Sequence, residues 1–471
     1  MPVSLKPAAT VLLCALAGVA QAQVSAPLRP DQTAFRELFE ELVETNTTLS
    51  SGSCTLAAER MAARLKAAGF ADSQLTLFAT PDHPKEGGLV AVYPGTSSTA
   101  RPILVIAHLD VVEAKREDWE RDPFTLVEEK GYFYARGTAD TKALVAIWVD
   151  ALIRFKAQGY RPARTVKMAL TCGEETNGAF NGVEWLAANR RDLIDAEFAL
   201  NEGGGGDTDG KGKVIGQQVQ IGEKTFANFR VETRNPGGHS SVPVRDNAIY
   251  QLARALVKID EHEFPLEMND TTRRYFRDAG AVRADAIGKA MVALAANPRD
   301  AKAEAIVNRD RFLHSNLRTT CVATLLDAGH APNALPQRAG ANVNCRIFPG
   351  HAIAEVGREL ARVIGDPGVT VTALPPVRPS PPAPPLAEHV IGPMQKLAAK
   401  YWPGIPVIPA MANGYTDATF LGAVGIPTYG VPGIWGDPDG NGAHGLNERI
   451  EARAVYVGRD YLFDLLKAYV D

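Results

Sequence analysis

The chemistry this sequence offers lies in His108, Asp140, Glu174, Glu175, Glu202 and His444. Two imidazoles and four carboxylates, with no thiolate among them, suit Zn²⁺, Mn²⁺ or Co²⁺. Each has an ordinary explanation alone. A single histidine is commonly a satisfied core residue. Asp140 is placed to cap the helix that follows. Adjacent acids such as Glu174-Glu175 usually lie in solvent, Glu202 before a glycine run reads as a turn, and His444 in a Gly-rich loop reads as exposed. What singles them out is that all six fall at loop positions of one α/β pattern.

The apolar run Ile103 to Ala107 reads as a buried strand that delivers His108-Leu109-Asp110 at its end. A short strand, Tyr132 to Ala135, precedes Gly137-Thr138-Ala139-Asp140-Thr141-Lys142 and then a helix from Thr141 to Phe155. The third strand, Thr165 to Thr171, ends in Cys172-Gly173-Glu174-Glu175, and the fourth, Ala196 to Leu200, ends in Asn201-Glu202-Gly203-Gly204. Helical periodicity marks 31–70, 183–189, 386–401 and 452–469. Strands alternating with helices predict a mostly parallel sheet, whose ligands gather outside the carboxyl ends of the strands. After Gly210 the pattern changes. Alternating runs at 214–221 and 225–233, a helix at 247–259, strands at 317–326 and 340–347, a helix at 351–364 and a strand at 369–374 make a small α+β unit. A charged, Ala-rich helical stretch at 263–315 interrupts that unit. The proline-rich run 374–385 leads back to the α/β pattern. The predicted organisation is one catalytic domain (23–213 and 376–471) with an inserted α+β lid (214–375), and the Gly- and Pro-rich links between them predict a hinge.

At 471 residues, with 45% apolar and 22% charged residues, the chain predicts a globular protein of two domains. A formal net charge of −4 leaves no basic footprint for nucleic acid. Lys6, the short apolar core from Ala8 to Val19 and Ala20-Gln21-Ala22 read as a cleavable export signal over residues 1–22. The mature chain is expected to be periplasmic or secreted and free of the membrane. In an oxidising compartment Cys321 and Cys345, on two apolar runs, are the expected disulfide pair among Cys54, Cys172, Cys321 and Cys345.

HLDVV, GTADTK, CGEET, NEGGG, GGHSS and HGLNE occur in this order. Together they resemble the M20 family of metallopeptidases, whose members include carboxypeptidases, aminoacylases, dipeptidases and desuccinylases. The likeness is strongest to the exported branch acting on N-acyl amino acids. It implies a zinc-peptidase-like catalytic domain and two divalent metal ions, Zn²⁺ foremost. His108 and Glu202 would hold one ion, Glu175 and His444 the other, and Asp140 would bridge them. Asp110 would hold the His108 ring through its second nitrogen. Glu174 would be the general base, and His239 would stabilise the oxyanion, from this chain or from a second copy. Arg346, Asn333 and Thr416 would bind the substrate carboxylate. Relatives often carry a cis peptide after the bridging aspartate and a second acid where this chain has Thr141. The expected activity is release of an amino acid with a free carboxylate from an N-acyl amino acid or short peptide, by a monomer or homodimer. The rivals are a carnosinase-type dipeptidase and a metal-holding binding protein without turnover; a serine esterase is disfavoured because no G-x-S-x-G occurs.

Overall fold

The computed structural model describes residues 27–176 and 180–471; the export signal read into residues 1–22 lies outside them. Its centre is a ten-stranded mixed sheet. Strand Ile103–His108 lies between Val166–Thr171 and Ala199–Asn201 and runs parallel to both. Every residue of Ile103–His108 is buried. Its alternate side chains serve two cores, as the period of a strand requires. Ile103, Val105 and Ala107 face helices Pro30–Val43, Cys54–Ala67, Lys142–Ala157 and Ala452–Val470. Leu104 and Ile106 face helices Gly182–Asn189 and Ala418–Ala423. Three parallel neighbours therefore open their carboxyl ends side by side. The segments that follow them carry Glu174-Glu175, His108 and Glu202.

A second, antiparallel sheet has the order Thr320–Ala328, Arg338–Ile347, Thr225–Arg234, Val369–Leu374. Helices Ala248–Asp260 and Ile353–Ile364 cover one face, with Phe229, Val231, Val343 and Ile347 packed against Leu252, Val356 and Leu360. Cys321 and Cys345 are directly opposed in this sheet and joined as a disulfide, the expected pair. A second disulfide, Cys54–Cys172, closes a sequence separation of 118 that gave no spacing signal.

Two elements differ from the sequence reading. Strand Val214–Glu223, grouped with the lid by its alternation, belongs to the large sheet, where Val407–Ala412 pairs with it in parallel. The chain changes sheets at buried Lys224, whose N–H donates to Ala412 O (3.1 Å). Alternation reveals a half-buried strand but not which sheet it joins. Strand Val407–Ala412 was not foreseen, because Pro409 argues against a strand; it is tolerated where the strand pairs on one side only. The helical stretch forms four helices between Asp270 and Asn316 around Phe276, Met291, Leu294 and Leu313. They dock on the large sheet: Asn316 Nδ2 donates to Met411 O (2.8 Å) and Asn413 Nδ2 to Ser315 Oγ (2.8 Å).

The helical layer is locked by a buried ion pair. Arg459 is fully buried, and its Nε and Nη2 donate to Asp150 (2.7 and 3.1 Å) while Nη1 reaches Asp31 (2.8 Å). Arg459→Met strands the Asp150 charge and is expected to cost about 3–5 kcal/mol in denaturant unfolding. Adding Asp150→Asn should recover part of that loss; no recovery would contradict the pairing.

Candidate metal centre

The six candidate side chains converge as two half-sites that share one carboxylate. His108 Nε2 lies 3.2 Å from Asp140 Oδ1 and 3.4 Å from Glu202 Oε2. His444 Nε2 lies 3.0 Å from Asp140 Oδ2 and 2.9 Å from Glu175 Oε2. Asp140 thus turns one oxygen to each histidine, the arrangement of a carboxylate between two cations. Nitrogen and oxygen atoms of each half-site lie within 4.8 Å of one another, and Glu174 has an oxygen equally close to His108 and Glu175. The donor set of imidazole and carboxylate fits divalent Zn, Mn or Co.

Local folding explains each placement. His108 closes its strand, and its Nδ1 is paired with the main-chain oxygen of Asp110 (2.9 Å). The expected carboxylate contact is longer, 3.7 Å. The Asp110 carboxylate is used elsewhere, accepting Glu175 N–H (3.0 Å) and Glu174 N–H (3.4 Å). Asp110 therefore orients the ring through its backbone and the two glutamates through its side chain. Asp140 precedes helix Lys142–Ala157, and its peptide to Thr141 is cis, as the family resemblance implies. The loop before it is held by Glu448, a residue given no role from sequence although it ends the HGLNE motif. Fully buried Glu448 accepts the N–H groups of Gly137, Ala139 and Asp140 (3.0, 2.8 and 3.0 Å) and the Arg136 guanidinium (2.7 Å).

Burial and close approach shift the titration of these groups. Burial raises the Glu174 carboxyl well above its ordinary value, and the Glu202 charge adds to this. Burial would also raise Asp140, but hydrogen bonds from His108 and His444 outweigh it and hold the carboxyl far down. His444 is pulled up to about 10 by its hydrogen bonds to Asp140 and Glu175. Burial alone would lower the His108 imidazole, but the Glu202 charge and the hydrogen bond to Asp140 outweigh it and raise it well above its ordinary value.

The other predicted residues fall outside this cluster. His239 pairs across a two-residue ladder with Ala334, and Ser240 N–H donates to Asn333 O (3.1 Å), which sets His239 and Asn333 side by side. Ser241 N–H donates to His239 Nδ1 (3.2 Å), so the ring proton belongs on Nε2. Among the described residues, no hydrogen bond or ion pair joins His239 to the metal-side cluster. Arg346 lies opposite Phe226, with its guanidinium 4.8 Å from that ring, and has no acidic partner among the described residues. Thr416 is held inside the fold. It is buried, donates to Glu223 Oε2 (2.9 Å) and accepts from Asn201 Nδ2 (3.2 Å). Its hydroxyl is spent supporting Glu223, which burial pushes up to about 7. Beside Asp140 and Glu202 opens a recess of about 430 Å³, walled by Leu144, Gln218, Val431, Ile434 and Trp435.

The family model for peptidase family M20/M25/M40 matches residues 104–468. The N-fatty-acyl-amino acid synthase/hydrolase PM20D1 of Homo sapiens is 26% identical over 382 residues, covering 79% of this chain and 75% of that protein. Aminoacylase-1 of Mus musculus is 27% identical over 389 residues, covering 80% and 82%. Among solved structures, the M20 family metallo-carboxypeptidase Sso-CP2 from Sulfolobus solfataricus superposes with a TM-score of 0.69 at 19% identity, covering 94% of this chain and 99% of that one. That likeness bears on the fold.

A cation entering beside His444 must displace the proton the imidazole holds up to about pH 10. Ion loading at pH 7 is therefore expected to release protons into a weakly buffered solution, and affinity should weaken as pH falls. Calorimetry in buffers of different ionisation enthalpy reads the count; loading without proton release would contradict the assignment.

Proposed function

The chain belongs to peptidase family M20/M25/M40, and on that premise we propose that it is an exported two-metal amidohydrolase releasing an amino acid with a free α-carboxylate from an N-acyl amino acid or short peptide. The observation that carries this reading is Asp140, with one oxygen toward each of two histidine–carboxylate pairs. His108, Glu202 and Asp140 would hold one divalent ion, and His444, Glu175 and Asp140 the other, Zn²⁺ being the first candidate. Such ions polarise a carbonyl and lower the pKa of water.

The chain's own residues supply the rest. Glu174 lies beside the cluster and is held by Asp110 only through its N–H, so its carboxylate is left for proton transfer. It takes a proton from the attacking water and delivers it to the leaving nitrogen. His239, with its proton on Nε2, presents a donor to the oxyanion once lid and site are together, whether from this chain or a second copy. Arg346 offers a carboxylate a planar guanidinium that has no acidic partner among the described residues, with Asn333 beside His239. The recess next to Asp140 and Glu202 has no Lys, Arg or His in its lining. We therefore assign it the acyl side and Arg346 the carboxylate side.

Export is supported by the signal-like residues 1–22 and by two disulfides, which persist in oxidising compartments. No helix among the described residues is long and apolar enough to cross a membrane.

A panel that varies the acyl group over one fixed amino acid, run beside dipeptides on ion-loaded protein, tests the reading. Acyl amino acids should be cleaved, and Glu174→Gln should lower kcat by about 10²–10⁴-fold while ions are retained. Retained ions without turnover of any amide would identify a binding protein instead. Arg346→Met removes a charge-assisted bond of about 1.5–3 kcal/mol, so KM should rise for free-acid substrates and stay put for their C-terminal amides. An equal rise for both would reject the assignment.

A further inference from the structure

Glu174 and Glu175 stand apart from the other candidate site residues in how they are held. His108 ends a buried strand, and Asp140 is gripped by Glu448. The two glutamates lie in the loop that leaves strand Val166–Thr171 through Cys172 and Gly173. Gly173 adopts φ +98°, and a Cβ there would fall 1.8 Å from Phe180 O, so the turn admits only glycine. Hydrogen bonds hold the loop at Cys172 O, which accepts Gly182 N–H (2.7 Å), and at Gly173 O, which accepts Asn181 Nδ2 (3.1 Å). Asp110 holds Glu174 and Glu175 from the other side. One covalent tie joins these bonds. Cys172, two residues before Glu174, is bridged to Cys54, the first residue of helix Cys54–Ala67.

That helix is a firm anchor. Ser53 caps it by accepting Leu56 N–H (3.2 Å), and Ala57, Ala58, Met61 and Leu65 are fully buried. Both cysteines are nearly inaccessible, at 2% and 4% exposure. The bridge thus connects the loop with the consecutive glutamates to a rigid part of the catalytic core. A constellation of like charges keeps its geometry only if its supports are stiff before the counter-charges arrive.

We propose that the Cys54–Cys172 disulfide is a positioning device for the reaction: it presets Glu174 and Glu175 against His108, His444 and Asp140 independently of bound ions. The inference rests on the reading of Glu174 as base and Glu175 as ligand. A bridge that merely stabilised the fold would act on unfolding and leave the site alone. The second bridge, Cys321–Cys345, lies in the other sheet and supplies the control for losing a cross-link.

The experiment compares the full-length exported protein with C54A/C172A and with C321A/C345A. Three quantities are read: Zn²⁺ affinity by chelator competition, kcat and KM on an N-acyl amino acid, and amide hydrogen exchange over 172–176 in metal-free protein. C54A/C172A should bind Zn²⁺ about 10–100-fold more weakly and lose a similar factor in kcat with KM nearly unchanged. Exchange over 172–176 should quicken. C321A/C345A should lose thermal stability yet keep wild-type Zn²⁺ affinity and wild-type exchange over 172–176. If C54A/C172A does not fold, C54V/C172A, which refills the space left by the two sulfurs, carries the same three measurements. Wild-type Zn²⁺ affinity, kcat and exchange in C54A/C172A would overturn the proposal. A wild-type protein that neither binds Zn²⁺ nor cleaves amides would overturn the functional reading instead; unchanged exchange over 172–176 would then still reject the bridge's role, and quickened exchange would uphold it.

Discussion

Repulsion among carboxylates is the constraint on which this structure turns. Asp140, Glu174, Glu175 and Glu202 meet around two imidazoles, and among the described residues no ion pair joins any of the four to a lysine or arginine. Charges of one sign at such separations disperse unless something holds them. In the protein alone the holding is done by main-chain N–H groups, by the two histidines and by the stiffness of the strands behind them. The perturbed titration of His444 and Glu174 is the sign of that stress, and divalent cations are the species that would relieve it.

The fold supplies the stiffness in layers. Three parallel strands, buried on both faces, aim their carboxyl ends at one point. Beneath them lies a set of acids that never reach the centre. Glu448 gathers three N–H groups around the Asp140 loop, and Asp110 gathers those of Glu174 and Glu175. Asp417 accepts Asn181 Nδ2 (2.7 Å), which in turn holds Gly173. These buried carboxylates hold mostly main-chain and side-chain amides, with the Arg136 guanidinium added at Glu448. The substrate side is built differently. Arg346 lies in the second sheet, and His239 and Asn333 lie at the two-residue ladder that continues from its strands Thr225–Arg234 and Arg338–Ile347; that sheet joins the first through Lys224 and the proline-rich run, while the helices between Asp270 and Asn316 rest on the large sheet.

The sequence made the metal side legible because a parallel strand announces itself as an apolar run and its first polar residues mark the carboxyl end. His108, Glu175 and Glu202 were readable on that ground, and motif order added Asp140 and His444. Residues whose meaning depends on side-chain direction were less readable. Thr416, expected at the substrate carboxylate, gives its hydroxyl to buried Glu223. Asp110 is expected to hold the second nitrogen of His108, and it does so through its backbone oxygen, with the carboxylate farther off. Glu448 ends the HGLNE motif, but nothing in the sequence says that its carboxylate turns back to the Asp140 loop rather than to an ion. The same limit applied to the fold. Val214–Glu223 was recognised as a strand but put in the wrong sheet, Pro409 hid Val407–Ala412, and Cys54–Cys172 joins segments that nothing in their spacing relates.

Anomalous diffraction at the zinc edge from crystals of the ion-loaded protein tests the central claim most directly. The account predicts two peaks about 3.5–4 Å apart, one beside His108 and Glu202, the other beside His444 and Glu175, with Asp140 between them. A single peak away from Asp140, or none among these residues, would contradict it.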